Sequence, residues 1–252
     1  MTSFLQALIH NPFLQLALFA GLASSLAGGI VGSYIVAKRI VFISGSISHA
    51  VLGGIGLFVF LNYITGSAFF TPMMGALLAA VFFGFLIGSL HFYYKQREDT
   101  IIAAIWSIGM ALGVIFISLV PSSNIALMDF LFGNLLWASL TEIKMLLVLD
   151  GIIILISLIC HKRFLAIAFD EKGAYLQKQP VTFLYFLLLS LVSITVVLLI
   201  QTIGAILVIA MLCLPAAIAN LFTNRLSKMI YLSIALSLLF LYLKVKTFLS
   251  LT

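Results

Sequence analysis

Charge is what this chain of 252 residues has least of. Asp, Glu, Lys and Arg together supply 8 % of it, against 64 % hydrophobic residues, where an ordinary soluble domain carries about 25 % charged residues. So few polar groups cannot cover a globule in water, which leaves a bilayer as the solvent. Cysteine is nearly absent: Cys160 sits beside "HKR" and Cys213 inside an apolar run, with no CxxC pairing to suggest a disulfide or redox centre. Also missing are a G-x-x-x-x-G-K-[ST] phosphate loop, a G-x-S-x-G elbow, an H-E-x-x-H zinc motif and a kinase signature. The chain therefore does not hydrolyse ATP itself, and a channel, a transporter or the membrane half of a larger assembly remains.

Apolar runs of spanning length, about 20 residues, recur between short polar breaks. They predict an all-α, polytopic membrane helix bundle forming a single domain over residues 1–252. Eight spans are expected: Phe13 to Ala37, Val41 to Tyr63, Pro72 to Tyr94, Ile101 to Val120, Ile143 to Cys160, Val181 to Ile200, Ile203 to Leu221 and Met229 to Leu243. The sixth and seventh are parted only by Gln201 and Thr202, which fits a hairpin or a broken helix equally. "MTSFLQALIHNPF" has no basic residue ahead of its apolar stretch, so the first helix reads as retained rather than cleaved.

Lys and Arg set the orientation. An extracytoplasmic N-terminus puts Lys38, Arg39, Lys95, Arg97, Lys162, Arg163, Lys172, Lys178, Arg225 and Lys228 inside, and Lys144, Lys244 and Lys246 outside. The two tail lysines fit worst and point to a short or differently laid last helix. The net charge of +6 is scattered over loops, so it signals topology and not a nucleic-acid partner. Gly28 with Gly32, Gly84 with Gly88, and Gly109 with Gly113 have the spacing that lets membrane helices approach closely.

Two ionisable residues stand out inside the spans, where such groups normally face protein or a water-filled path. His49, in "SGSISHAVLGGIG", is flanked by Ser46 and Ser48 and followed by Gly53, Gly54 and Gly56. A neutral imidazole suits zinc, copper, iron or nickel; a packing histidine satisfied by a helix carbonyl is the alternative. Asp150, in "LLVLDGIIIL", needs a bound cation, a proton or a hydrogen bond from a neighbouring helix. His10, His91 and His161 fall near expected helix ends and take no role. Met73, Met74, Met110 and Met211 lack the paired spacing of a thioether site and read as packing groups.

Five stretches in order, "RIVFISGSISHAVLGGIGL", "REDTIIAAIWSIGMALGVIFISLVP", "MDFLFGNLL", "AFDEKGAYLQ" and "QTIGAILVIAMLCLPAAIANLF", resemble the permease subunit of bacterial zinc and manganese ABC importers. The resemblance covers nearly the whole chain. It implies a multi-pass subunit of the bacterial cytoplasmic membrane that is not itself an enzyme and has no tightly bound cofactor. Zinc, manganese or iron would be the cargo. The implied partners are a second copy of the permease, cytoplasmic ATPase subunits, an extracytoplasmic metal-binding protein and membrane lipid. His49 is then a metal ligand on the pathway. The family's aspartate four residues before this histidine is Gly45 here, and Asp150 is one replacement to consider. The chain also ends soon after "LYLKVKTFLSLT", short of the last helix of longer relatives.

For coupling to the ATPase, Pro215 is expected to start a short cytoplasmic helix, with Asn220, Asn224, Arg225 and Lys228 as its polar anchors. The loop with Phe169, Asp170 and Glu171 is the competing docking segment. Rival functions are a permease for a metal chelate or a cobalamin-type ligand, a passive cation channel, and an intramembrane enzyme pairing His49 with Asp150.

Overall fold

The computed structural model describes residues 12–67, 69–94, 98–121, 130–131, 133 and 140–251. His10, Lys95, Arg97 and most of "MDFLFGNLL" lie outside the described residues. The elements are α1 (Pro12–Lys38), α2 (Val41–Thr65), α3 (Pro72–Tyr94), α4 (Glu98–Ser118), α5 (Leu140–Phe169), α6 (Glu171–Leu176), α7 (Val181–Ile203), α8 (Ala205–Phe222) and α9 (Leu226–Leu251). Among the described residues no strand occurs, as expected where lipid offers the backbone no hydrogen bonds and each spanning segment must satisfy its own. The seven helices α2 to α5 and α7 to α9 are long and apolar enough to cross a membrane. α1, with 27 residues, has the length for an eighth crossing.

Helix breaks coincide with residues that cannot continue a helix. Arg39 takes a left-handed φ of 64° before α2 begins. Gly66, at φ 64°, closes α2 with its N–H on the Asn62 carbonyl. Proline opens α3 at Pro72 and precedes α7 at Pro180, positions where its missing N–H removes no intrahelical bond.

The ambiguous sixth and seventh spans form a hairpin, and its pivot is Gly204 rather than the Gln201–Thr202 pair. Gly204 adopts φ 85° and ψ 154°, a conformation open essentially to glycine alone. α7 runs from Tyr185, under the Lys38 ammonium, to Leu199, beside Gly28; α8 then returns to Leu212, packed on Gly32.

Three expectations need correction. α5 does not stop at Cys160 but continues through "HKRF" to Phe169, and the chain beyond it turns into α6 instead of forming an open loop. The long basic side chains there keep their charges at the surface while their stems lie along the helix. Pro215 does not start a helix: it is buried inside α8, which runs on to Phe222. The proline removes the donor to the Met211 carbonyl, a loss that neighbouring groups can meet in a packed membrane bundle. Finally, α9 is not short, since it extends to Leu251 with Ser233, Ser237 and Leu241 buried along it.

The polar connections gather at one end. Lys38 Nζ pairs with Glu171 and donates to the Ile167 carbonyl at 2.9 Å, while His161 Nε2 meets Ser227 Oγ at 3.2 Å. The basic ends of α1, α5 and α9 therefore lie together, and this is the cytoplasmic end by the positive-inside rule.

Candidate functional site

His49 is held on α2, and α2 is fixed chiefly by a seam with α4. Ser46 Oγ donates to the Ile102 carbonyl at 3.0 Å. A Cβ on Gly53 would stand 3.0 Å from the Gly109 carbonyl oxygen, and one on Gly56 would stand 2.8 Å from that of Gly113. The paired positions rise together, so α2 and α4 run parallel with their backbones nearly touching. That close approach is what "GGIG" and the Gly109–Gly113 pair supply. Gly54 does the same for α3, where a Cβ would strike Ala79 and the Gly75 carbonyl.

The seam leaves His49 half-buried on the side of α2 flanked by α4 and α8. Trp106 of α4 stacks on the imidazole with ring centroids 4.3 Å apart and planes inclined by 21°. Among the described residues no hydrogen bond reaches either ring nitrogen, so the carbonyl-satisfied packing histidine is not the arrangement found. The flanking hydroxyls are engaged elsewhere: Ser46 on Ile102, and Ser48 on the Ser44 carbonyl at 2.9 Å. Gly45, one turn before His49, is closed in by Ile209 Cδ1 of α8 and Trp106 Cζ3, 3.0 and 3.3 Å from where a Cβ would sit. Sequence reasoning passed over Trp106. In "AAIWSIGM" an indole looks like one more apolar residue of a span, and only the packing of α2 on α4 brings it to the imidazole.

Asp150 is not beside His49. It lies on α5, which packs on α1 and α7, whereas α2 packs on α3 and α4. Ser24 Oγ of α1 lies 3.4 Å from Asp150 Oδ2. Among the described residues no three His, Cys, Asp or Glu side chains converge as a metal cage would require.

The other histidines are more engaged than their positions suggested. His161 bonds Tyr34 Oη at 2.7 Å as well as Ser227, and His91 stacks on Tyr185 at 5.2 Å.

At the cytoplasmic end the expected coupling residues divide by exposure. Asn220, Asn224, Arg225 and Lys228 are exposed around the turn from α8 to α9, next to Leu221 and Phe222, which are 82 % and 76 % exposed. In the earlier segment the two carboxylates have local work. Asp170 caps α6 by accepting from Gly173 N at 2.8 Å, and Glu171 pairs with Lys38. Phe169 is left projecting from that segment, 67 % exposed.

Residues 10–250 match the model of the ABC 3 transport family. The chain belongs to that family. A probable metal transport system membrane protein of Chlamydia pneumoniae is 47 % identical over 239 residues, covering 93 % of this chain and 81 % of the relative. The manganese transport system membrane protein MntC of Listeria monocytogenes is 36 % identical, covering 91 % and 79 %. Among solved structures, PsaBC from Streptococcus pneumoniae in complex with Fab matches with a TM-score of 0.80 at 32 % identity, covering 94 % of this chain and 83 % of that one. The ABC 3 chain described here is thus a multi-pass protein of the bacterial cytoplasmic membrane, a transport subunit with an all-helical permease fold.

Proposed function

We propose that this chain is the permease subunit of an ATP-driven importer of a divalent transition metal, with His49 as a transient ligand on the pathway. The observation that carries the reading is an imidazole set inside a span, half-exposed in the single protomer and without a hydrogen bond among the described residues. An ionisable side chain at that depth avoids lipid. Its face is therefore the one a second permease copy covers, which puts two imidazoles near one central path. The relatives' names for metal and manganese transport support a metal as cargo. One histidine per subunit makes a site from which an ion can leave, as conduction requires, whereas a closed four-ligand cage would trap it.

Zinc is the cargo this donor set suits. Imidazole without a carboxylate at Gly45 favours a borderline metal over manganese, which prefers oxygen. Manganese is the second reading, favoured by the name of the Listeria relative. ATP hydrolysis falls to a separate cytoplasmic subunit, for which Leu221 and Phe222, rimmed by Asn220, Asn224, Arg225 and Lys228, form the docking knob and Phe169 a second contact. An extracytoplasmic metal-binding protein delivers the ion at the other end. Asp150 stands apart from this pathway.

Uptake of labelled zinc and manganese into vesicles holding the whole complex is the test. Zinc accumulation that depends on ATP and on His49 supports the reading. Uptake without ATP indicates a channel, and uptake only of a chelated metal indicates the chelate permease.

A further inference from the structure

Asp150 is 1 % exposed in mid-span, and among the described residues its Oδ1 has no hydrogen-bond partner. Among the described residues no ion pair compensates it, and its hydrogen-bonding neighbour is Ser24 Oγ at 3.4 Å. The titratable groups on the surrounding elements stand elsewhere. α1 carries Tyr34, ten residues toward the cytoplasmic end, and α5 carries exposed Lys144 on one side and Cys160 and His161 on the other. α7 has Tyr185 level with Lys38, and α9 has Lys228, Tyr231 and Tyr242, all exposed.

One hydroxyl, Ser24 Oγ, reaches the carboxyl. Ser24 also lines, with Ser25, Thr202 and Ser237, a cavity of about 10 Å³ between α1, α7, α8 and α9, room for roughly one water molecule. Ser237 Oγ is buried and unpartnered there, and Ser157 Oγ on α5 and Ser233 Oγ on α9 are buried and unpartnered as well. Ser157 and His161 share the Asp150 stripe of α5, spaced by about two and three turns. The Tyr34 hydroxyl lies 3.5 Å from the Ser157 carbonyl and 2.7 Å from His161 Nδ1, and His161 Nε2 reaches exposed Ser227. A polar lane of Ser157, Tyr34 and His161 thus runs from the cytoplasmic surface to about two turns short of the buried carboxyl.

A lone carboxylate here calls for one positive charge, since a divalent ion would replace an excess negative charge with an excess positive one. A metal ion needs a shell of five or six oxygens, and among the described residues Ser24 Oγ alone stands within hydrogen-bond distance of the carboxyl. A proton needs one acceptor and one neighbour. With the proton on Oδ2, the carboxyl donates to Ser24 Oγ. Oδ1 then becomes a neutral carbonyl oxygen, the kind of buried group that tolerates missing a partner best.

We propose that Asp150 is a proton-binding site, loaded and emptied from the cytoplasmic end through the lane of Ser157, Tyr34 and His161. The transfer balances. A proton from cytoplasmic water joins His161 Nε2 while Nδ1 releases one to the Tyr34 oxygen. Tyr34 passes its own proton on toward the Asp150 carboxylate, a solvent molecule entering beside the unpartnered Ser157 hydroxyl carrying it over the last two turns. The phenol is restored, and the imidazole, left protonated on Nε2, regains its first tautomer by releasing that proton to water and taking one up at Nδ1.

Infrared difference spectroscopy on the full importer complex in lipid nanodiscs tests the site. At neutral pH the wild type should show the C=O stretch of a neutral carboxyl that disappears in Asp150→Asn and is identical in sodium and choline chloride. In D₂O the band should shift, and Tyr34→Phe should slow that shift at least about tenfold, since phenylalanine has no proton to relay. Should Asp150→Asn fail to assemble, Asp150→Glu, which keeps the acid but moves the band, makes the same assignment. Absence of the band in folded wild type, or its appearance only when sodium is removed, overturns the proton site. An unchanged exchange rate in Tyr34→Phe overturns the lane.

Discussion

The two ionisable side chains set deep in the spans, His49 and Asp150, meet opposite conditions. His49 lies on a half-exposed face between α4 and α8, placed by glycine seams and stacked on Trp106, yet with neither nitrogen hydrogen-bonded among the described residues. Asp150 is sealed between α5 and α1, with a hydroxyl at 3.4 Å and a water-sized cavity nearby. The difference teaches how to read charge in a membrane protein. A group whose polar valences stay open at a surface is waiting for something outside the protomer, while a buried group with a single hydroxyl neighbour must be neutralised where it stands. Rigidity serves the first case, because a ligand that must meet its counterpart in another copy has to be held in register.

The largest effect should come from the open group. His49→Ala is expected to lower ATP-dependent metal uptake by at least about tenfold while the permease still copurifies with its ATPase. Uptake within twofold of wild type would return His49 to a packing role and erase the contrast with Asp150. Next is the seam that positions it. Gly109→Val would drive a side chain into the Cα of Ala50, a backbone clash that cannot relax by a rotamer change, and should cost about 1–3 kcal/mol. A thermal melt in detergent reads this, and an unchanged midpoint would mean that α2 and α4 are not locked together. Trp106→Ala comes third, removing a ring contact worth about 0.5–1.5 kcal/mol beyond its buried area. It should also make His49 more reactive toward an imidazole-modifying reagent, and unchanged reactivity would show that the indole does not shield the ring.

How much of this was legible beforehand follows from what each signal depends on. Span positions read well: α2, α3 and α7 begin at the expected Val41, Pro72 and Val181, because hydropathy and helix-stopping residues act locally. The end of α5 and the course of α8 did not. "HKRF" reads as a loop by charge, yet a helix at the membrane surface tolerates it, and Pro215 reads as a start, yet a packed bundle carries a helix through it. His49 and Asp150 were both visible as ionisable residues in apolar runs. Their separation was not, since it depends on which helix packs on which. Trp106, Ser24 and Tyr34 acquire their meaning only from partners 57, 126 and 127 positions away in sequence, His49, Asp150 and His161.

The smallest expected effect sharpens the comparison most, because the same replacement should divide the two sites. Asparagine has the shape of a protonated aspartate and carries no charge, so Asp150→Asn preserves what the sealed site holds if its resident is a proton. The new amide can still meet Ser24 Oγ, and the orphaned Oδ1 position remains a neutral group. No buried charge is stranded by the change, which is the circumstance that makes breaking a buried pair costly. Stability should therefore stay within about 1 kcal/mol of wild type, and metal uptake at neutral pH within about twofold. His49→Asn, by contrast, exchanges a nitrogen ligand for a weakly binding amide and should be as inactive as the alanine variant. If Asp150→Asn abolishes uptake while leaving assembly and the melting midpoint untouched, the sealed carboxylate acts in transport as a charge. The division between an open ligand and a neutralised one would then fall.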